Sequence, residues 1–124
     1  MTAVEIFKIL SDTNRLRILN LLYEKELCVC ELEYLLGVSQ SNLSKHLRLM
    51  SDAGFVESRR ENKFVYYRIK DEVLEKHSFL KNTFEIELKK EDYLTEELDK
   101  LNSYKKSAIN CQNITALICE KAIS

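Results

Sequence analysis

The sequence predicts a mainly α-helical chain that carries one β-hairpin. Three observations predict it. Proline is absent and glycine occurs only at Gly37 and Gly54, so helix breakers are scarce. Apolar residues recur at helical spacing before Gly54 and again after Asp71. Between those stretches, residues 55–60 and 63–69 are rich in strand formers. Glu61 and Asn62 separate the two runs, and Asn62 tolerates the left-handed backbone of a tight hairpin.

The elements follow in order. Val4, Phe7 and Leu10 make a short apolar stripe on a terminal helix. Ser11, Asp12 and Thr13 offer N-caps for a second helix, with Leu16, Leu19, Leu22 and Tyr23 on one face. Lys25 and Glu26 break that pattern. A third short helix reaches about Leu36, with Val29, Leu32, Leu35 and Leu36 as its stripe. Gly37 supplies a turn, and Ser39 caps a fourth helix with Leu43, Leu47 and Met50 facing inward. Gly54 ends it. Helix restarts near Asp71, and Phe84, Leu88, Leu94, Leu98 and Leu101 mark amphipathic helix beyond. No internal repeat, low-complexity segment or linker interrupts the chain.

Two helices joined by a tight turn and followed by a hairpin give the winged helix-turn-helix plan, here with additional terminal helices for dimerisation. Residues 1–80 would form the DNA-binding unit and 81–124 a helical extension on the dimer interface, as one structural domain overall. In this plan the fourth helix enters the major groove. Ser39, Gln40, Ser41, Asn42, Ser44, Lys45 and Arg48 form its polar outer face. Gln40 and Asn42 suit bidentate contacts to adenine. Arg59, Arg60 and Lys63 crowd the hairpin tip, within reach of phosphate or a narrow minor groove. His46 is better read as a packed or capping residue than as a base reader.

Charge agrees with this placement. The net charge of -1 hides an asymmetry. Residues 39–70 hold seven basic and three acidic side chains, a local +4, while the flanking segments are acidic. A positive segment in an acidic chain is what a phosphate-contacting face needs. With 124 residues, the chain is long enough to bury a core. No apolar run approaches a membrane span, and residues 1–6 lack a signal-peptide pattern, so a cytoplasmic location is expected. Thiols stay reduced there, so four cysteines suggest metal binding or redox sensing more than a disulfide framework.

Cys28 and Cys30 lie just ahead of the turn into the fourth helix. If 28–36 is regular helix, Cys28 falls about 50° from the centre of the apolar stripe and Cys30 about 150° away. Packing then explains Cys28 but not Cys30, which would sit on the polar side beside Glu33 and Tyr34. Residues two apart do not face each other on a helix, whereas in an extended segment they do. Two sulfurs sharing one ion must approach to roughly 3.7 Å at zinc-like bond lengths. Joint binding therefore calls for a distorted or unwound start at 28–30, and bending that segment could displace the DNA-reading helix. Thiolate pairs select soft ions: trivalent arsenic or antimony, cadmium, lead, bismuth or copper(I). Cys111 and Cys119 are candidates for a third ligand. They are about 12 Å apart along one helix, so both cannot join one ion without unwinding.

Residues 11–19, the box at 26–32 (Glu-Leu-Cys-Val-Cys-Glu-Leu), residues 39–47 and the wing end at 65–69 together resemble the ArsR/SmtB family of winged-helix metalloregulatory repressors. The match covers about residues 4–75. The resemblance implies a homodimer that binds operator DNA with no cofactor. It leaves when arsenite or antimonite meets the Cys-Val-Cys box, which derepresses resistance genes. Departures are visible. Glu33 stands where arsenite sensors often have a third cysteine. No cysteine precedes Cys28, unlike the cadmium and lead type, and His77 lacks the histidine partner of the family's zinc or nickel site. The reading is an autoregulating, arsenite-type repressor, not an enzyme, binding double-stranded DNA and no membrane. The alternatives are a cadmium, lead or thiol-redox sensor of the same fold, or, in another class, a thiol metallochaperone or oxidoreductase. An oxidoreductase would want Cys-X-X-Cys, and a chaperone would not need Gln40, Asn42 and a basic wing.

Overall fold

The structure, a computed structural model, describes residues 1–107 and Ile114. Helices α1 (Ala3–Leu10) and α2 (Thr13–Glu24) lead into a two-residue strand β1 (Leu27–Cys28). Helices α3 (Val29–Leu36) and α4 (Gln40–Asp52) follow, then the hairpin β2 (Val56–Glu61) and β3 (Phe64–Ile69). Helix α5 (Asp71–Lys76) precedes α6 (Phe79–Asn82), which continues as a π turn (Thr83–Glu87) and a 3₁₀ turn (Leu88–Lys90). Helix α7 (Asp92–Lys105) follows.

The helix ends are set by the residues that the sequence offers for them. Asp12 caps α2 by accepting the Arg15 N–H at 3.0 Å, and Ser39 caps α4 by accepting the Asn42 N–H at 3.3 Å. Gly37 ends α3 at φ +67 and returns its N–H to the Glu33 carbonyl at 2.9 Å. Asn62 takes the hairpin turn at φ +58.

One core joins all of these elements, with Ile6, Ile18, Leu19, Leu32, Leu43, Leu47, Met50, Phe55 and Leu80 fully enclosed. Two expected stripes differ. Helix α1 buries Ile6 and Ile9 and leaves Val4 and Phe7 61% and 57% exposed. The Val4–Phe7 face looks outward, apart from a ring contact between Phe7 and Phe79 (centroids 5.2 Å). Phe84, Leu94, Leu98 and Leu101, by contrast, are buried inside this chain. Helix α7 packs on α2 and α3 of the same chain. That docking gives the predicted stripe the partner the sequence did not show.

The sheet has the order β1-β3-β2, all antiparallel. The sequence did not suggest β1. It pairs Leu27 with Tyr67 and Cys28 with Tyr66, so the Cys-Val-Cys box begins as a strand on the wing sheet.

Candidate nucleic-acid interface and thiolate site

The candidate DNA-facing surface is built on α4 and the wing. Ser39, Gln40, Ser41, Asn42, Ser44, Lys45 and Arg48 are all exposed, because Leu43, Leu47 and Met50 turn the opposite face of the helix into the core. On the wing, Arg60 and Lys63 are exposed. Among the described residues no ion pair involves Lys45, Arg48, Arg60 or Lys63. Arg59 is different. Its guanidinium meets Glu26 Oε1 at 2.5 Å and Glu61 Oε2 at 2.9 Å, and lies 4.8 Å from the Tyr66 ring centroid. The two carboxylates raise its affinity for its proton and neutralise it locally. The expectation that Arg59 stands with Arg60 and Lys63 as a phosphate contact thus meets an arginine already engaged.

The cysteine box straddles a strand–helix junction. Cys28 is the N-cap of α3, extended at φ -90 and ψ 168. The helical angle assigned to it from the sequence therefore does not apply. The helix starts at Val29, so Cys28 lies outside it while Cys30 is already helical, and the unwinding expected over 28–30 is met at Cys28 alone. Cys28 is 2% exposed. Cys30 sits in the first turn, half-buried and packed against the core, not on the polar face where helical geometry put it. Cys28 is disulfide-bonded and Cys30 is free. Cys111 and Cys119, the candidate third ligands, lie outside the described residues. Among those described, no group of three or more His, Cys, Asp or Glu is placed to hold a metal ion. His77, the histidine without a partner histidine, has its ring Nε2 3.2 Å from the Met1 carbonyl.

Two sets of contacts join the elements around the box to the wing and to the turn before α4. In the sheet, Cys28, Tyr66 and Arg59 form one row, since Tyr66 pairs with Cys28 on one side and with Arg59 on the other. Paired residues across antiparallel strands place their side chains on the same face. Glu26, just before β1, ties the same row to the wing through Arg59. The second set runs through α3. Arg17 donates to the Leu36 carbonyl at 2.8 Å, at the last turn before Gly37, and to Glu97 of α7 at 2.6 Å. Sequence reasoning missed Glu26, Arg17, Glu31 and Tyr104. For Glu31 a signal existed: a glutamate three residues after the cap position is the capping-box spacing, with Cys28 in place of Ser or Thr.

A helix-turn-helix with a polar outer face, flanked by a basic hairpin, defines a DNA-binding transcriptional regulator rather than an enzyme. Residues 12–58 match the model of bacterial regulatory proteins of the arsR family. A HlyU structure from Vibrio cholerae N16961 superposes with a TM-score of 0.56 at 38% identity, covering 63% of this chain and 86% of that one. The chain belongs to the ArsR family.

Two curated relatives have names that point to different metals. A cadmium resistance transcriptional regulatory protein, CadC of Listeria innocua serovar 6a, is 46% identical over 66 residues, which is 52% of this chain and 56% of that protein. The arsenical resistance operon repressor of Escherichia coli K12 is 45% identical over 67 residues, 53% of this chain and 57% of that protein. The chain thus spans little more than half the length of these curated relatives. Among the described residues, no helix is long and apolar enough to cross a membrane.

Proposed function

We propose that the chain is a homodimeric transcriptional repressor, acting in the cytoplasm, that binds operator DNA through α4 and the wing. It releases the DNA when a soft thiophilic ion binds reduced Cys28 and Cys30, trivalent arsenic or antimony foremost. One observation carries the reading: Cys28 is extended at the start of α3 and shares a ladder row with the wing. Cys28 stands outside the helix, so its side chain is not bound to the helical spacing that parts residues two apart. An ion that draws Cys28 toward Cys30 pulls on the strand that is hydrogen-bonded to β3. The free energy of ion binding is thereby set against the wing geometry that favours DNA. Residues 1–80 carry both surfaces in this proposal. The exposed Val4–Phe7 face of α1 is the natural dimer seam.

The test is a mobility shift on the chain's own upstream DNA, with the protein fully reduced. Arsenite and antimonite are expected to release it, and Cys28→Ser and Cys30→Ser to bind DNA but not respond. Release by cadmium or lead alone would reassign the inducer. No shift on any upstream fragment would refute the repressor reading.

The Cys28 disulfide favours a second reading, a thiol-redox sensor. A peroxide would oxidise two thiols to the disulfide and itself be reduced to water. The same sulfur cannot be a disulfide and an ion ligand at once. Peroxide should therefore abolish arsenite binding until reductant is restored. Release by peroxide in the absence of arsenite would favour this second reading.

A further inference from the structure

Glu31 is the one buried carboxylate among the described residues, 4% exposed. A buried charge is costly unless hydrogen bonds satisfy it. Both of its oxygens are used. Oε1 accepts the Cys28 N–H at 3.0 Å, and Oε2 accepts the Tyr104 O–H. Tyr104 is itself 4% exposed and belongs to α7, outside the family-matched residues 12–58. Its ring lies 6.0 Å from that of Tyr34, and the Lys25 ammonium stands 5.6 Å from its centroid. Burial, and then the bond to Glu31, push the phenol's ionisation far up, so it stays a proton donor. Among the described residues, the carboxylate's hydrogen-bond partners are thus the main chain of Cys28 and the hydroxyl of Tyr104 on α7.

We propose that Tyr104 is a positioning residue of the thiolate site. Through Glu31 it holds the Cys28 main chain in the extended conformation from which Cys28 and Cys30 meet one ion. The proposal rests on the reading of that pair as the sensor. It also gives α7 a task in sensing. Tyr104 touches no ion; it orients the backbone of a residue that does. Groups that orient ligands in this way typically contribute about 10- to 100-fold to metal affinity.

The experiment uses the full, reduced chain as wild type, Tyr104→Phe and Leu98→Ala. Tyr104→Phe keeps the ring and removes only the hydroxyl. Leu98→Ala loosens α7 without touching the phenol–carboxylate bond. Arsenite is titrated by its sulfur charge-transfer absorbance, Cys28 amide exchange is followed by NMR, and operator affinity is measured without arsenite. Tyr104→Phe is expected to lose 10- to 100-fold in arsenite affinity and to exchange the Cys28 amide faster, with operator affinity within about twofold of wild type. Leu98→Ala is expected to keep its arsenite affinity. Equal affinity in wild type and Tyr104→Phe overturns the proposal, as does an equal loss in Leu98→Ala. Should Tyr104→Phe fail to fold, Glu31→Gln is read in the same assays with the same expectations. If wild type binds no arsenite, the sensor reading falls. The positioning role is then decided by the Cys28 amide, faster exchange in Tyr104→Phe upholding it and unchanged exchange refuting it.

Discussion

Arg60 and Arg59 should separate in the salt dependence of DNA binding, although they are neighbours on one strand. Arg60 is exposed, and no ion pair holds it among the described residues, whereas Arg59 is shared between Glu26 and Glu61. Each phosphate that a free cation neutralises releases counterions and contributes about 0.9 to the slope of log affinity against log salt. Arg60→Ala removes one such contact from each protomer of the dimer and should therefore flatten the slope by about 1.8. Over a fourfold rise in salt, that is roughly a 12-fold smaller loss of affinity. The double variant Glu26→Gln/Arg59→Gln removes one charge of each sign. It should leave the slope unchanged, because an arginine already paired releases no counterion. Fluorescence anisotropy of a labelled operator between about 50 and 200 mM salt reads both. An equal flattening in the double variant would show that Arg59 leaves Glu26 for phosphate, and the argument from the ion pair would fail.

Three further outcomes are expected. Arg17→Met removes bonds to Glu97 and to the Leu36 carbonyl from a site where the side chains are only 20% and 13% exposed. It should cost about 2–3 kcal/mol, or roughly 8–12 °C in melting temperature; a change below about 1 kcal/mol would mean the clamp is incidental. Asp12 has its carboxyl held below its ordinary range, first by the Arg15 backbone N–H. A depressed acid stabilises above its unfolded value and loses that contribution as pH falls through the folded one. Urea melts should find wild type more stable than Asp12→Asn at pH 7, with the difference closing below about pH 4. Phe7→Glu places a charge on the exposed face of α1 and should yield a folded monomer by sedimentation at micromolar concentration; a persistent dimer would move the seam elsewhere.

The helix-turn-helix and the wing were legible because their signals are local. Gly37, the Ser39 cap, the Leu43–Leu47–Met50 stripe and Asn62 each act within a few residues, and each sits where the sequence placed it. What escaped is held by contacts distant in sequence. Strand β1 has only two residues and exists because β3 offers its edge. Arg59 finds Glu26 33 positions away, Tyr104 finds Glu31 73 away, and Arg17 finds Glu97 80 away. No periodicity encodes such pairs. The cysteines show both sides: the need for a non-helical start at Cys28 followed from geometry, but the packing of half-buried Cys30 against the core did not, because it depends on the elements that α3 meets, α2, α4 and α7 among them.

The central claim is that one ion is held by Cys28 and Cys30 together. X-ray absorption at the arsenic edge, on the reduced chain with one equivalent of arsenite, counts the sulfurs bound. The account predicts at least two sulfurs per arsenic in the wild type and one fewer in either Cys28→Ser or Cys30→Ser. An unchanged sulfur count in both variants would contradict it.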